Sequence, residues 1–191
     1  MIPLFVDLDG TLIKCSTTGE ETRRYIKKNG LFKTLAEVSR EGLFSKLKFK
    51  TWISDQAIEI DYSCKFNEQV VTFLRKRKSF GDELILATGS PSKSAARVLE
   101  QSPIKFDDVL TSSINLNLKG KNKLSQIQEY LRLSGDKEFT YIGDALIDLK
   151  IMREAQKSYF VGKKLVYLIG KFVFKVREIK YLSEITSKDH N

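Results

Sequence analysis

Cysteine, histidine and long apolar runs are scarce in this chain of 191 residues. Only Cys15 and Cys64 occur, too few and too far apart for a disulfide framework. The single histidine, His190, leaves little for a zinc site, and its polar tail gives it no evident role. A reducing cytoplasm is the compartment these absences suggest. The N-terminus runs Met1-Ile2-Pro3-Leu4-Phe5-Val6 straight into Asp7, with no basic region and no apolar stretch of signal-peptide length. The most apolar neighbourhood, Leu165 to Leu182, is broken by Lys171, Lys175, Arg177, Glu178 and Lys180 and fails as a membrane span.

Charge is plentiful and lopsided. The formal net charge is +9, from 33 Lys+Arg against 24 Asp+Glu, which favours anionic partners without choosing among them. Residues 14–50 carry ten basic and four acidic side chains, and residues 157–191 carry eight and three, so two basic surfaces are expected. No aromatic-interleaved motif accompanies either, which disfavours nucleic acid as the partner. With 41% hydrophobic residues the composition suits one globular domain of ordinary size.

Three short apolar runs each stop at a polar turn, the pattern of buried strands ending in loops. Pro3 to Val6 meets Asp7-Leu8-Asp9-Gly10-Thr11, Leu84 to Ala87 meets Thr88-Gly89-Ser90-Pro91, and Phe139 to Ile142 meets Gly143-Asp144. Helical spacing lies between them, over Glu68–Lys78, Ser92–Gln101 and around Leu124, Ile127, Tyr130 and Leu131. Alternation of this kind predicts an α/β fold, a Rossmann-like parallel sheet flanked by helices, with ligands beyond the strands' carboxyl ends. Residues 14–65 break the alternation. Thr18 and Glu21 offer a capping box there, and Tyr25, Ile26, Leu31, Phe32, Leu35 and Val38 recur at helical spacing, so this segment reads as a mostly helical insertion. Residues 1–13 and 66–191 then form the core.

Phosphoryl transfer needs a metal to neutralise charge, an in-line nucleophile, a proton donor for the leaving oxygen, and groups on the equatorial oxygens. Asp7 and Asp9, two apart on an extended chain, share a face, so that one can attack while the other handles the proton. Asp144 and Asp148 supply hard oxygen ligands that suit Mg²⁺ far better than zinc. Thr88 offers a hydroxyl and Gly89 an amide to a bound phosphate, and one of Lys119, Lys121 and Lys123 can reach the same place.

In this order, Asp-x-Asp-Gly-Thr, Ala-Thr-Gly-Ser, lysine and Gly-Asp-x-x-x-Asp, the chain resembles the haloacid dehalogenase superfamily. The resemblance implies that Asp7 is the nucleophile forming an aspartyl-phosphate, and that Asp9 is general acid, then base. Thr88 and the lysine would hold phosphate, and the insertion would be the cap. Mg²⁺ would sit on Asp7, the Asp9 carbonyl and Asp144, supported by Asp148. Within the superfamily, Phe66-Asn67-Glu68, Phe106 to Leu110, Asn117 to Lys123 and Gly143-Asp144 are similar to the domain fused ahead of UbiA-like prenyltransferases. In that pattern the lysine stands three after the glycine, which selects Lys123. No transmembrane helices follow before Asn191, so a fused prenyltransferase is not expected.

The function these readings imply is a Mg²⁺-dependent phosphatase acting on a phosphomonoester, such as a sugar phosphate or a polyprenyl-linked phosphate. Its alternatives are a phosphomutase and a non-catalytic basic binding protein on the same fold. The apolar positions from Leu165 to Ile179 recur at helical spacing opposite Lys164, Lys171, Lys175 and Glu178. Packing on the core is the expectation, with peripheral contact to an anionic membrane the alternative. Trp52 reads as cap core, and Cys15, with no histidine near it in sequence, is not expected to act as a nucleophile.

Overall fold

In the computed structural model, which describes residues 2–56, 58–176 and 178–182, six parallel strands form one sheet in the order β3-β2-β1-β4-β5-β6. The strands are β1 (Leu4–Val6), β2 (Leu84–Pro91), β3 (Asp108–Ser112), β4 (Thr140–Gly143), β5 (Lys157–Phe160) and β6 (Ile179–Tyr181). The helices between them are α4 (Glu68–Ser79), α5 (Ser92–Leu99), α6 (Lys121–Ser134), α7 (Leu149–Glu154) and α8 (Lys164–Phe172). Three more, α1 (Thr17–Asn29), α2 (Leu31–Arg40) and α3 (Lys46–Asp55), occupy the segment after β1.

The central strands read as unbroken apolar runs because both faces of the sheet are covered. Alternate residues serve opposite cores. Leu4, Val6, Leu84, Leu86 and Ile142 pack with Val70, Val71 and Leu74 of α4 and with Ala95 and Val98 of α5. Phe5, Ile85, Ala87 and Tyr141 pack on the other side with Ile127 and Leu131 of α6, Ile151 and Met152 of α7, and Tyr167 of α8. Each such side chain contributes about 2 kcal/mol by leaving water, so the register of β1 is fixed by two cores at once.

That register sets the site. Val6 pairs with Leu86 on one side and with Ile142 on the other, so the residues that follow all three strands emerge side by side at one edge. The chain runs outward from β1 through β2 to β3, then crosses back to β4. The crevice between β1 and β4 is therefore the switch point at which open α/β sheets bind ligands.

Several expectations change. Ser16, not Thr18, caps α1, its Oγ accepting from the Gly19 N–H at 3.4 Å, and Glu21 is fully buried and turned to the core instead of capping. The periodicity of Leu165 to Ile179 is not one helix. It ends at Phe172, the chain turns at Lys175 with φ of 50°, and Ile179 joins the sheet edge as part of β6. One side of α8 packs inward through Tyr167 and Gly170, and Leu165, Phe172 and Val173 stay exposed. Along α2, Leu31, Phe32 and Leu35 face solvent although their spacing is helical. Trp52 packs edge-on against Tyr25, with ring centroids 5.2 Å apart, inside the small apolar cluster of the inserted helices. His190 lies outside the described residues. No helix among the described residues is long and apolar enough to cross a membrane.

Candidate active site

Asp7 leaves the end of β1, its N–H donating to the Ile142 carbonyl of β4 at 3.0 Å. Asp144 follows β4 directly, and Asp148 closes a turn of 3-10 helix (Leu146–Asp148) just beyond it. Carboxylate oxygens of Asp7, Asp144 and Asp148 lie within 4.8 Å of one another. Gly10 makes room for this approach: with φ of 80° it sits where a Cβ would overlap the Asp144 carboxylate. The Thr11 hydroxyl donates to Asp144 Oδ1 at 3.3 Å, and the Ala145 N–H to Asp148 Oδ2 at 3.3 Å.

Crowding and burial act on these acids together. Burial, then the Asp7 charge, pushes the Asp144 carboxyl up to about 7. Burial likewise raises Asp148 to about 6, against the opposing pull of Lys123. Three converging carboxylates with oxygen donors only, held at a cost in mutual repulsion, fit a hard divalent cation such as Mg²⁺ and do not fit zinc.

Lys123, on the first turn of α6 and 2% exposed, donates to Asp7 Oδ1 at 2.7 Å and to the Tyr141 hydroxyl at 3.0 Å. Burial alone would lower its pKa, but Asp7 and Asp148 outweigh burial and hold it raised, so the ammonium stays charged. Tyr141 in turn donates to Asp148 Oδ1 at 3.1 Å, and burial, then the Asp148 charge, keeps its hydroxyl protonated. Of the three candidate lysines, Lys119 lines the cleft and Lys121 points outward from the start of α6.

Asp9 stands apart from the carboxylate trio. Its Oδ1 accepts the Thr17 N–H at the start of α1 (2.7 Å), and its Oδ2 accepts the Ser90 hydroxyl (2.7 Å). The N-terminus of α1 favours a negative charge there. Its side chain is therefore not among the three converging carboxylates. Thr88 is fully buried, with its Oγ1 accepting the Ser90 N–H at 3.0 Å, and the Gly89 carbonyl accepts the Ser112 hydroxyl at 3.0 Å.

Two further groups belong to this place. Ser90 is one residue past the Thr88-Gly89 pair and was visible as a second hydroxyl at the strand end. Lys50, 4% exposed on α3, donates to the Gly89 carbonyl, and nothing in its own neighbourhood of sequence marks it. A cleft of about 940 Å³ opens above, lined on one side by Asp9, Gly10, Lys119 and Asp144 and on the other by inserted-helix residues including Ile26, Lys46, Phe49 and Lys50. Cys15 also lines it, its thiol pushed up to about 11 by burial and so protonated.

Residues 4–153 match the family of haloacid dehalogenase-like hydrolases. The chain belongs to that family. Among its relatives is the uncharacterized protein y4nM of Sinorhizobium fredii (strain NBRC 101917 / NGR234), 30% identical over 181 residues. The match takes in 93% of this chain and 32% of the relative, so the chain spans about a third of that protein's length. Similar solved structures include a protein of unknown function from Bordetella pertussis Tohama I, 12% identical with a TM-score of 0.66 over 94% of this chain and 98% of that one. A phosphoserine phosphatase in a phospho-aspartyl intermediate analogue form is 14% identical, with a TM-score of 0.61 over 98% of each chain. A predicted phosphatase from Clostridium acetobutylicum is 17% identical, with a TM-score of 0.61 over 98% of this chain and 97% of that one. This haloacid dehalogenase-like hydrolase thus has the fold of phosphatases of its family.

Proposed function

We propose that the chain is a Mg²⁺-dependent phosphomonoesterase with Asp7 as its nucleophile. The observation that carries this reading is the buried Lys123 ammonium 2.7 Å from Asp7 Oδ1, beside the trio Asp7, Asp144 and Asp148. A carboxylate surrounded by cation and metal ligands is where a phosphoryl group can be approached by an anion without prohibitive repulsion. Mg²⁺, held by Asp7, Asp144, the Asp9 carbonyl and, in support, Asp148, would offset charge on the phosphate. Asp7 attacks phosphorus in line, the P–O bond to the leaving alcohol breaks, and Asp9 gives that oxygen a proton. The aspartyl-phosphate is then opened by water, which loses a proton to Asp9 as inorganic phosphate forms. Thr88, the Gly89 amide and Lys123 serve the equatorial oxygens.

Thr17 N–H and the Ser90 hydroxyl hold the Asp9 side chain where it lines the cleft, which positions it to meet the leaving oxygen. The inserted segment 14–65 acts as the cap that selects the leaving group, and the substrate is a small phosphate ester. The test is hydrolysis of p-nitrophenyl phosphate with Mg²⁺ and with a chelator. Turnover should require Mg²⁺ and fall by roughly a thousandfold or more in Asp7→Asn. Activity that survives chelation, or that Asp7→Asn retains, would refute the reading.

A further inference from the structure

Lys50 is an expensive residue to bury. An ammonium carries three donors, and a buried charge is costly unless paired. Here the partner found is one neutral acceptor, the Gly89 carbonyl, and among the described residues Lys50 forms no salt bridge with a carboxylate. Its pKa is lowered to about 8, by burial first and then by Lys119, with Lys46 adding to the same effect against Asp9 and Asp7. Lys46 stands one helical turn before it on α3, and both line the cleft. Lys119 comes from the core side: its aliphatic stem covers Gly89 so closely that a Cβ there would meet Lys119 Cε at 2.7 Å. With Lys14, which also lines it, four ammonium groups thus border one cleft, none in a salt bridge among the described residues.

The catalytic duties do not consume this charge. Lys123 is already committed to Asp7 and Tyr141 on the other side of the strand ends. The cleft's own acids are engaged as well, Asp9 by Thr17 and Ser90, and Asp144 in the carboxylate trio. Arg23 at the rim is paired with Glu20 at 2.7 Å.

We infer that the cleft is built for a phosphate ester whose leaving part carries a second anionic group, a phosphate or a carboxylate, which Lys50 binds with Lys46 and Lys119 beside it. On binding, Lys50 exchanges a neutral carbonyl for a charged acceptor, a stronger kind of hydrogen bond. This inference rests on the phosphatase reading and names the class of substrate for the same site. Lys50 is a specificity residue here, since it meets the part of the substrate that leaves.

Three esters of similar size decide it: glycerol phosphate, phosphoglycerate and glycerol bisphosphate, compared by kcat/KM with Mg²⁺ present. The unmodified protein should prefer the two doubly anionic esters over glycerol phosphate by about tenfold or more. Whichever of the pair is better tells carboxylate from phosphate. In Lys50→Gln the preference should collapse toward parity. The Lys46→Gln Lys119→Gln double variant, altered only at exposed side chains, should lose part of it and guards against failure of Lys50→Gln to fold. Absence of any preference in the unmodified protein overturns the inference, as does a preference that both variants keep. An equal fall on all three esters in Lys50→Gln also overturns it, because Lys50 would then serve the transferred phosphoryl. If no ester is hydrolysed the phosphatase reading fails instead, and calorimetric binding of glycerol bisphosphate against glycerol phosphate to the unmodified protein decides the same question.

Discussion

At the scale of single residues, Asp144 shows what a divalent cation would offset. Its carboxyl is pushed up to about 7 from an ordinary 3.8 by burial and by Asp7 beside it. Without metal, the folded protein holds a proton there that an unfolded chain has released, across the window from about pH 4 to about pH 7. Folded molecules bind more protons than unfolded ones in that window, so stability falls as pH rises through it. Below the window both states are protonated and the site costs nothing; above it the full repulsion remains unless a cation offsets it. Thermal unfolding in chelator should therefore show Asp144→Asn melting above the unmodified protein at pH 8 and close to it at pH 4. Adding Mg²⁺ at pH 8 should raise the melting temperature of the unmodified protein and leave that of Asp144→Asn nearly unmoved. Equal pH slopes for the two proteins in chelator would contradict this. Asp7, Thr88 and Asp144 could be singled out from sequence because each directly follows, or lies within, an apolar run that can only be a buried strand. Lys50 could not be found that way, since its contact at Gly89 lies 39 residues away.

At the scale of elements, one core side chain, Arg97, ties the inserted helices to the core at three points. Arg97 of α5 donates to Glu21 of α1 at 2.7 Å, and to the Ser54 and Gln56 carbonyls at the end of α3 at 2.7 and 2.8 Å. Those carbonyls lack partners within their own helix, and Glu21 is fully buried with the Ser94 hydroxyl 2.9 Å away. Arg97→Ala leaves an acid buried without its cation and should cost about 3 kcal/mol in urea unfolding. Lys93→Ala, which removes an exposed pair with Asp55, should cost under about 1 kcal/mol. Similar losses in the two variants would show that Arg97 is not such a tie. Glu21 looked like half of a capping box because local spacing cannot reveal a partner 76 residues away. The strands without a sequence signal fail for related reasons. β3 begins with an aspartate and buries only Ser112 fully, β5 spans four residues, and β6 spans three within a stretch whose apolar spacing mimics a helix.

At the scale of the molecule, the sheet order turns three scattered motifs into one site. β1 lies between β2 and β4, so Asp7 stands beside the Thr88 loop on one side and Asp144 on the other, at the point where the chain reverses its direction across the sheet. Strand ends and motif order were enough to foresee this crevice. The roof over it was foreseen only as helical, because its packing depends on contacts such as Glu21 with Arg97 and Lys50 with Gly89 that cross from the insertion to the core. The excess of basic residues in 14–50 is likewise readable from composition, but only the fold turns Lys46 and Lys50 toward the cleft. Everything proposed for this cleft depends on Asp7 accepting the phosphoryl group. A radiolabelled phosphate ester, mixed with the protein and Mg²⁺ and quenched in acid during turnover, tests that directly. The label should appear on the peptide that contains Asp7, should be released by mild base, and should be absent in Asp7→Asn. Steady turnover with no labelled protein at any quench time, or label carried on another residue, would contradict it.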